Sequence, residues 1–552
     1  MQYHCFVLAV YTLVICILTT QSHTIPHKPS HIWNASGKPS VSSKTAALEE
    51  FCFMKEPVTY TGAIGEFEPL IRAFSPAENI LRENVKRITI IAAEAKLLGT
   101  DIIAFSEYAL PGLGIFLGDR SHFDSLSVPV PDPADGVAPC DKETGSAEYS
   151  PLKELSCAAR QLEMYMVVGV AETSDCEDVP PPDCPADGVI YYNTMVVFNR
   201  SGTVVAMYRK QHPFLEPGVE IGHQNDSAAL FISDFGVTFS MHNCFDILFA
   251  HPSYANVKKN LSRDVIFSTA WGNQSPFAFA PNIQSSWSRS LSTNMLAANY
   301  HLPEAGHVGS GIYRGFSEEQ KIAYTFDAKS GDVLIVSPIT TCAPPDLQQY
   351  TPNVLLTEAT VIKYHNNHAA IRTTSVSQQD LSQFNEVALP PTQPEETNNV
   401  HVCYATLCCR LKYQRTEGDN LVYKLITYSG MIRNGDQLMY YEYCGIVTCY
   451  TDNWKTCVMF PETVGEVNTH EYDNLGSNNF ENTAEFGPYT LEGTFSCNST
   501  YPVAMTREFE ILPNAEFYFN QGSDVSVLRV DKPVPKLMTS HIFGRIFYAD
   551  GK

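Results

Sequence analysis

The stretch from Ser75 to Ser106 constrains this chain more than any other. Ser75, Pro76 and Glu78 have the spacing of a capping box with proline at the first helical position. Ile80, Val85, Ile88, Ile91, Ala92, Ala95 and Leu98 then recur at helical spacing, and Gly99 supplies a stop. Asp101 to Ser106 follows at once as a short apolar strand. A helix and a strand joined this tightly each leave an apolar face uncovered, so the pattern predicts a sheet layered with helices. The pattern recurs. A helix is expected over 152–162, with strands over 165–170, 189–198 and 235–242. The strand at 203–208 reads as the hairpin partner of 189–198. A strand at 264–269, a helix over 283–294 and strands at 295–300 and 332–337 complete the series. The expected fold is a mixed α/β sheet covered by helices and doubled into a sandwich.

At 552 residues the chain exceeds a single ordinary core, and 44% hydrophobic against 18% charged residues is a globular balance. From about residue 401 helical periodicity fades and Tyr and Cys accumulate, which predicts a second, mainly β unit held by disulfides. Residues 351–400, rich in Pro, Asn, Gln and Thr, read as a linker or loop region.

The net charge of −23, with no local basic block, repels a nucleic-acid backbone, so no nucleic-acid partner is expected. Residues 1–22 carry a compact apolar run from Cys5 to Leu18 followed by small and polar residues, the pattern of a secretory signal peptide. No later stretch is apolar for 18 residues, so no transmembrane span is expected in a mature chain, which is placed in the extracellular space. Of the 16 cysteines, Cys5 and Cys16 fall in this leader, leaving 14. Most of these should pair in an oxidising compartment. A single reactive thiol would leave an odd number, so a further cysteine should be free or bonded outside the chain. Cys403, Cys408, Cys409, Cys444, Cys449 and Cys457 raise zinc as an alternative, but their spacing makes no two clean C-x-x-C pairs. Sequons at Asn34, Asn199, Asn225, Asn260, Asn273 and Asn498 are candidate glycan sites and hence candidate surface positions.

Three chemically able residues share one context. Glu107, Lys210 and Cys244 each sit at or just beyond the carboxyl end of a predicted strand, the edge where ligand sites collect in open α/β sheets. A thiol beside an ammonium and a carboxylate is poised to ionise and attack. Read singly, each has a plainer interpretation: Cys244 as a small core residue or disulfide partner, Glu107 and Lys210 as surface charges. His212, two positions after Lys210, offers a Cys–His pairing instead. No G-x-S-x-G, H-E-x-x-H or G-x-x-x-x-G-K motif is present.

The stretches DIIAFSEYALPG around Glu107, MYRKQHPFLEPG around Lys210 and HNCFDILFAHP around Cys244 resemble the carbon–nitrogen hydrolase (nitrilase) superfamily, and within it the vanin and biotinidase branch. FSTAWGNQ, LSTNMLAANYH and GSGIYRG between Phe267 and Gly315, and CYATLCCRLKY from Cys403 to Tyr413, extend the likeness over roughly 60–550. Two places depart from it: Ser106 stands where the superfamily often has Pro before the Glu, and Met54 to Gly65 matches the opening strand weakly. The resemblance implies an α-β-β-α sandwich over residues 60–350, preceded by an arm at 23–59 and followed by a β-rich base domain at 401–552. It implies Cys244 as nucleophile, Glu107 as general base, Lys210 as charged stabiliser, Glu216 as an auxiliary carboxylate and the Phe245 backbone N–H as an oxyanion donor. It implies a small-molecule amide substrate such as pantetheine or biocytin, and no metal or organic cofactor. Oligomeric state is read as monomer, with a homodimer through the sandwich as the alternative. The Pro- and Cys-containing segment Asp175 to Gly188 is expected as a loop or lid over the pocket. Two other readings stay open: a non-catalytic binding glycoprotein on the same fold, and a nitrilase proper, against which the leader and the Cys-rich second unit both speak.

Overall fold

The computed structural model describes residues 56–70, 75–141, 150–176, 184–315, 323–327, 330–364, 376–418, 420–458, 484–497 and 499–551. Residues 1–22, read above as a leader, most of 23–59, read as an arm, and Asn34 and Asn498 lie outside them. Everything described here belongs to one compact unit, Glu49–Lys552.

Two sheets stack in the first half of the chain. The first contains β1 (Glu56–Glu66), β2 (Ile102–Phe105), β3 (Tyr165–Asp175), β4 (Val189–Phe198) and β5 (Val204–Arg209), joined by Val333–Ala343 and Thr360–Lys363 on the far side of β1. The second contains β6 (Leu230–Ile232), β7 (Thr238–Asn243) and β8 (Asp264–Ser268), followed by Asn294–Ala298, Ser310–Arg314 and Ala323–Thr325. β1, β2 and β3 run parallel, β4 reverses, and β5 reverses again. Thus β2 and β5 point the same way. β7 and β8 are parallel in the other sheet. Tyr60, Ile64, Val167, Met195, Phe239, Met241, Ile266 and Leu296 form the dry layer between the sheets. Helices Ala77–Leu97 and Pro151–Leu162 cover the outer face of the first sheet through Ile88, Ile91, Leu155 and Ala159. Ala280–Leu291 covers the second. The result is an α-β-β-α sandwich.

Several boundaries differ from those read in the sequence. Pro76, not Ser75, occupies the helix N-cap, and no side chain caps that end, so the capping box does not form. The strand expected to start at Phe235 starts at Thr238, because Gly236 turns the chain at φ 78°. The helix expected over 283–294 runs Ala280–Leu291: Pro281 opens it, and Ser292 ends it in the left-handed region. Residues 351–400 carry short strands on both sides, Thr360–Lys363 in the first sheet and Asn385–Ala388 in a sheet of the second half.

That second half is two antiparallel sheets, one centred on a long hairpin, Val422–Asn434 and Gln437–Cys449. Disulfides Cys403–Cys408, Cys409–Cys444 and Cys449–Cys457 use all six clustered cysteines, which answers the zinc alternative. Cys140–Cys157 and Cys176–Cys184 staple the sandwich. Among the described residues the free thiols are Cys244 and Cys497. The second half is fixed to the first by a shared core and by specific bonds: Ser290 Oγ donates to Thr500 O at 2.8 Å, and Arg545 Nε to Leu248 O at 3.1 Å. No helix among the described residues is long and apolar enough to cross a membrane.

Of the sequon residues described, Asn225 and Asn260 are exposed and Asn199 is half-buried. Asn273 corrects the expectation of a surface position. It is buried, with Nδ2 donating to Gly306 O and Val308 O and Oδ1 accepting from Ala280 N, so its amide has no room for a glycan.

Candidate active site

The parallel sense of β2 and β5 brings their carboxyl ends to one edge, and the carboxyl end of β7 meets that edge from the opposing sheet. Ser268 Oγ, at the end of β8, donates to Phe105 O at 2.7 Å and ties the two sheets there. Glu107, Lys210 and Cys244 therefore line one cavity of about 530 Å³, together with Glu216 and Phe245. Two of the backbone turns that present these groups are strained. Cys244 has φ 47° and Tyr108, directly after Glu107, has φ 48°, a region non-glycine residues seldom occupy. Gly169 of β3 allows the second turn to form: a Cβ there would lie 2.5 Å from Ser106 O and 2.6 Å from Tyr108 N.

Lys210 is buried and held by two carboxylates. Its Nζ donates to Glu107 Oε1 at 2.6 Å and to Glu216 Oε1 at 2.5 Å. An ammonium has three donors, so one N–H remains for the cavity. Burial alone would lower the Lys210 pKa, but Glu107 and Glu216 outweigh it and push it well above the usual value. The carboxylates diverge. Burial raises Glu107, with Glu216 adding to the rise and Lys210 opposing it. Burial also works against Glu216, yet Lys210, the Phe214 backbone N–H and the Tyr108 hydroxyl hold it below the ordinary range. Two carboxyls around one ammonium thus separate into a firmly ionised group and one that takes up a proton more readily. Burial, then Glu107, push the Cys244 thiol upward against the pull of Lys210, so the resting sulfur carries its proton.

Asn193 went unnoticed in the sequence. From the interior of β4 its Nδ2 donates to Glu107 Oε1 at 2.7 Å and to Glu216 Oε2 at 2.8 Å. Its Oδ1 accepts from Asn243, the residue before Cys244, at 2.8 Å. Its backbone carbonyl accepts from Lys210 N at 2.8 Å. Tyr108 Oη donates to Glu216 Oε2 at 2.7 Å, and Ala270 N to Glu107 Oε2 at 2.9 Å. An asparagine within an apolar β-strand was the available signal, since a buried amide must find partners.

Two expectations are corrected. His212 turns away from the thiol: its ring stacks on Phe249 at 3.7 Å, and its Nδ1 lies 2.7 Å from Asp246 Oδ1. It is not part of the cavity wall. The segment Asp175 to Gly188 contributes no described residue to that wall either, while residues 177–183 lie outside the described part. The cover comes from elsewhere, because Arg433, Asn434, Gly435, Tyr441, Tyr443 and Phe543 of the second half line the cavity.

A double-sheet sandwich with a cysteine, a lysine and two glutamates on one cavity defines the class of amidohydrolases that act on carbon–nitrogen bonds. The model of the carbon–nitrogen hydrolase family matches residues 75–322, and that of the vanin C-terminal domain matches residues 374–550. The chain belongs to the carbon–nitrogen hydrolase (nitrilase) superfamily, in its vanin branch. It is 26% identical to the pantetheinase of Bos taurus over 476 residues, covering 85% of each chain. It is 35% identical over 273 residues to vanin-like protein 2 of Drosophila melanogaster, covering 47% of each. Among solved structures, an amidase from Nesterenkonia sp. is similar at 16% identity and a TM-score of 0.35, covering 53% of this chain and 93% of that one.

Proposed function

We propose that this protein is a secreted, pantetheinase-like amidase working through a thioester on Cys244. The observation that carries this reading is the buried Lys210 shared between Glu107 and Glu216 on the cavity that also holds the free, strained Cys244. Glu107 accepts the thiol proton as the sulfur attacks the amide carbonyl carbon. The oxyanion is met by the third N–H of Lys210 and by the Phe245 backbone N–H. Protonated Glu107 then passes its proton to the departing amine, and the carbon–nitrogen bond breaks to leave an acyl thioester. A water molecule gives a proton to Glu107 and attacks the thioester, freeing the acid and returning the thiol. Glu216 stays ionised throughout and keeps Lys210 charged, while Asn193 fixes the spacing of the two carboxylates.

Pantetheine is the favoured substrate because the relatives named pantetheinase span 82–92% of this chain, and an aromatic-walled cavity suits an uncharged arm. Biocytin is the alternative. Five disulfides between described cysteines support an oxidising compartment, and exposed Asn225 and Asn260 are the best-placed glycan acceptors. The domain reading is a hydrolase domain over 60–350 and a base domain over 401–552.

The test is release of pantothenate from pantetheine and of biotin from biocytin, followed by mass spectrometry of both halves, with Cys244→Ser alongside. Turnover by the native protein that the variant lacks is expected. Equal turnover by both would remove Cys244 from the mechanism. Inertness of the folded native protein, with Cys244 unreactive toward iodoacetamide, would favour a binding glycoprotein.

A further inference from the structure

The hairpin of the second domain reaches the cavity with its tip. Its two-residue turn, Gly435–Asp436, joins Asn434 to Gln437, and Gly435 adopts φ 60°. The tip presses on the loop that carries Glu216: a Cβ on Gly435 would lie 2.8 Å from the Phe214 ring and 3.2 Å from Leu215. Glycine at this point thus serves both the turn and the close approach. The Phe214 ring in turn meets Phe245, the neighbour of Cys244, at 4.8 Å. Two aromatic rings therefore separate the hairpin tip from the nucleophile.

Charge on the cavity wall is distributed unevenly. Glu107, Lys210 and Glu216 bind one another at its head. The only other Asp, Glu, Lys or Arg among the described wall residues is Arg433, on the hairpin. Its Nη1 donates to Asp436 O at 3.4 Å, and it forms no ion pair among the described residues. The side chain is exposed at the mouth, so keeping it there costs little desolvation. Next to it Asn434 is committed, with Nδ2 donating to the Tyr441 hydroxyl at 2.9 Å. The wall also includes Phe214, Phe245, Trp271, Phe277, Tyr443 and Phe543. An anion is disfavoured at the head, where two carboxylates face one ammonium, and favoured at the mouth, where the Arg433 guanidinium forms no ion pair among the described residues. A guanidinium takes a carboxylate or a phosphate with two parallel hydrogen bonds.

We propose that Arg433 is a specificity-determining residue, and that among amides of the pantetheine type this site prefers those that carry an anionic group, a carboxylate or a phosphate monoester, at the end remote from the scissile bond. This rests on the amidase reading above, and it assigns the second domain a part in substrate choice. The groups joining the two ends of the substrate should be uncharged, to lie along the aromatic walls.

The test compares matched pairs on the full-length protein: pantetheine against its 4′-phosphate, and an N-acyl cysteamine ending in a carboxylate against the same compound ending in a carboxamide. Wild type should favour the anionic member of at least one pair by about tenfold in kcat/KM, mainly through KM, the size expected of a charge-assisted contact at a partly wet site. The pair in which the preference occurs identifies phosphate or carboxylate as the group read. Arg433→Gln should bring that ratio to about one, Arg433→Lys should keep part of it, and Arg433→Glu should reverse it. Turnover of the neutral amides with no preference in either pair would overturn this inference and leave the amidase reading standing. So would a preference that survives in Arg433→Glu. No turnover of any of the four compounds by folded protein would overturn both.

Discussion

Glu107–Lys210–Glu216 and Glu66–His301 are both buried ionic clusters of the sandwich, but they are built differently. Glu66 and His301 are fully buried and matched one to one: Nδ1 lies 2.8 Å from Oε1, while Nε2 reaches Ser330 O at 2.8 Å and Glu66 Oε2 accepts from Gly309 N at 3.3 Å. Every polar atom has a partner, and neither residue borders the cavity. The other cluster sets two carboxylates against one ammonium, opens on a cavity and has a thiol beside it. A balanced, enclosed pair fixes the structure, whereas an unbalanced and accessible one can exchange a proton. Burial of charge alone does not mark a site; imbalance and access together do.

The comparison can be broken from either side. The largest effect is expected for Cys244→Ala, which should lower kcat by at least about 10⁴-fold in a steady-state amide assay while leaving the melting temperature nearly unchanged. Glu66→Gln should do the reverse, costing about 3–5 kcal/mol in urea unfolding while activity per folded molecule stays within a few-fold. Its pH dependence is specific. Burial opposes the His301 charge, but Glu66 and the Ser330 carbonyl raise its pKa above the ordinary 6.5. A raised folded-state value means that the pair's contribution is complete below about 6.5 and fades as pH rises through the His301 value. Unfolding of Glu66→Gln should lack that component, and an unchanged pH dependence in the variant would assign it to another group.

Asn193→Ala should lower kcat by about 10- to 100-fold with a smaller change in KM, because it releases the spacing of both carboxylates without touching the substrate arm. If kcat held and only stability fell, Asn193 would belong with Glu66 rather than with the site. The smallest effect is expected from Glu216→Gln on the pH profile. In the proposed mechanism Glu107 must be ionised, so kcat/KM should fall as pH drops through the Glu107 value, which burial and Glu216 raise above 4.5. Removing the Glu216 charge leaves Lys210 to act on Glu107 alone, and the acid limb should move to lower pH. A limb that stays in place would mean that another group controls it.

Much of this was legible before any coordinates. Helical spacing with Gly99 at its end marked the first helix, and apolar runs bounded by turn residues marked β2, β4 and β8, because local burial patterns repeat at the period of the element that buries them. Glu107, Lys210 and Cys244 were legible as strand-end residues and through motif resemblance. The failures were local competitions. Ser75 lost the cap to Pro76, and Asn273 matched a sequon yet served three buried hydrogen bonds. Three residues of sequon chemistry carry no information on depth.

The sequence by itself determined which groups are available: a thiol, an ammonium and a carboxylate at Cys244, Lys210 and Glu107, each next to a strand that had to be buried. Only the tertiary structure decided which carboxylate stays charged, that Asn193 spans both, that His212 faces Asp246, and that a hairpin far downstream of Cys244 puts Arg433 at the mouth. The reason is physical. Periodicity and turn chemistry act over a few residues, whereas the proton affinity of a buried group depends on every charge and dipole within several ångströms, and those neighbours come from strands far apart in the chain.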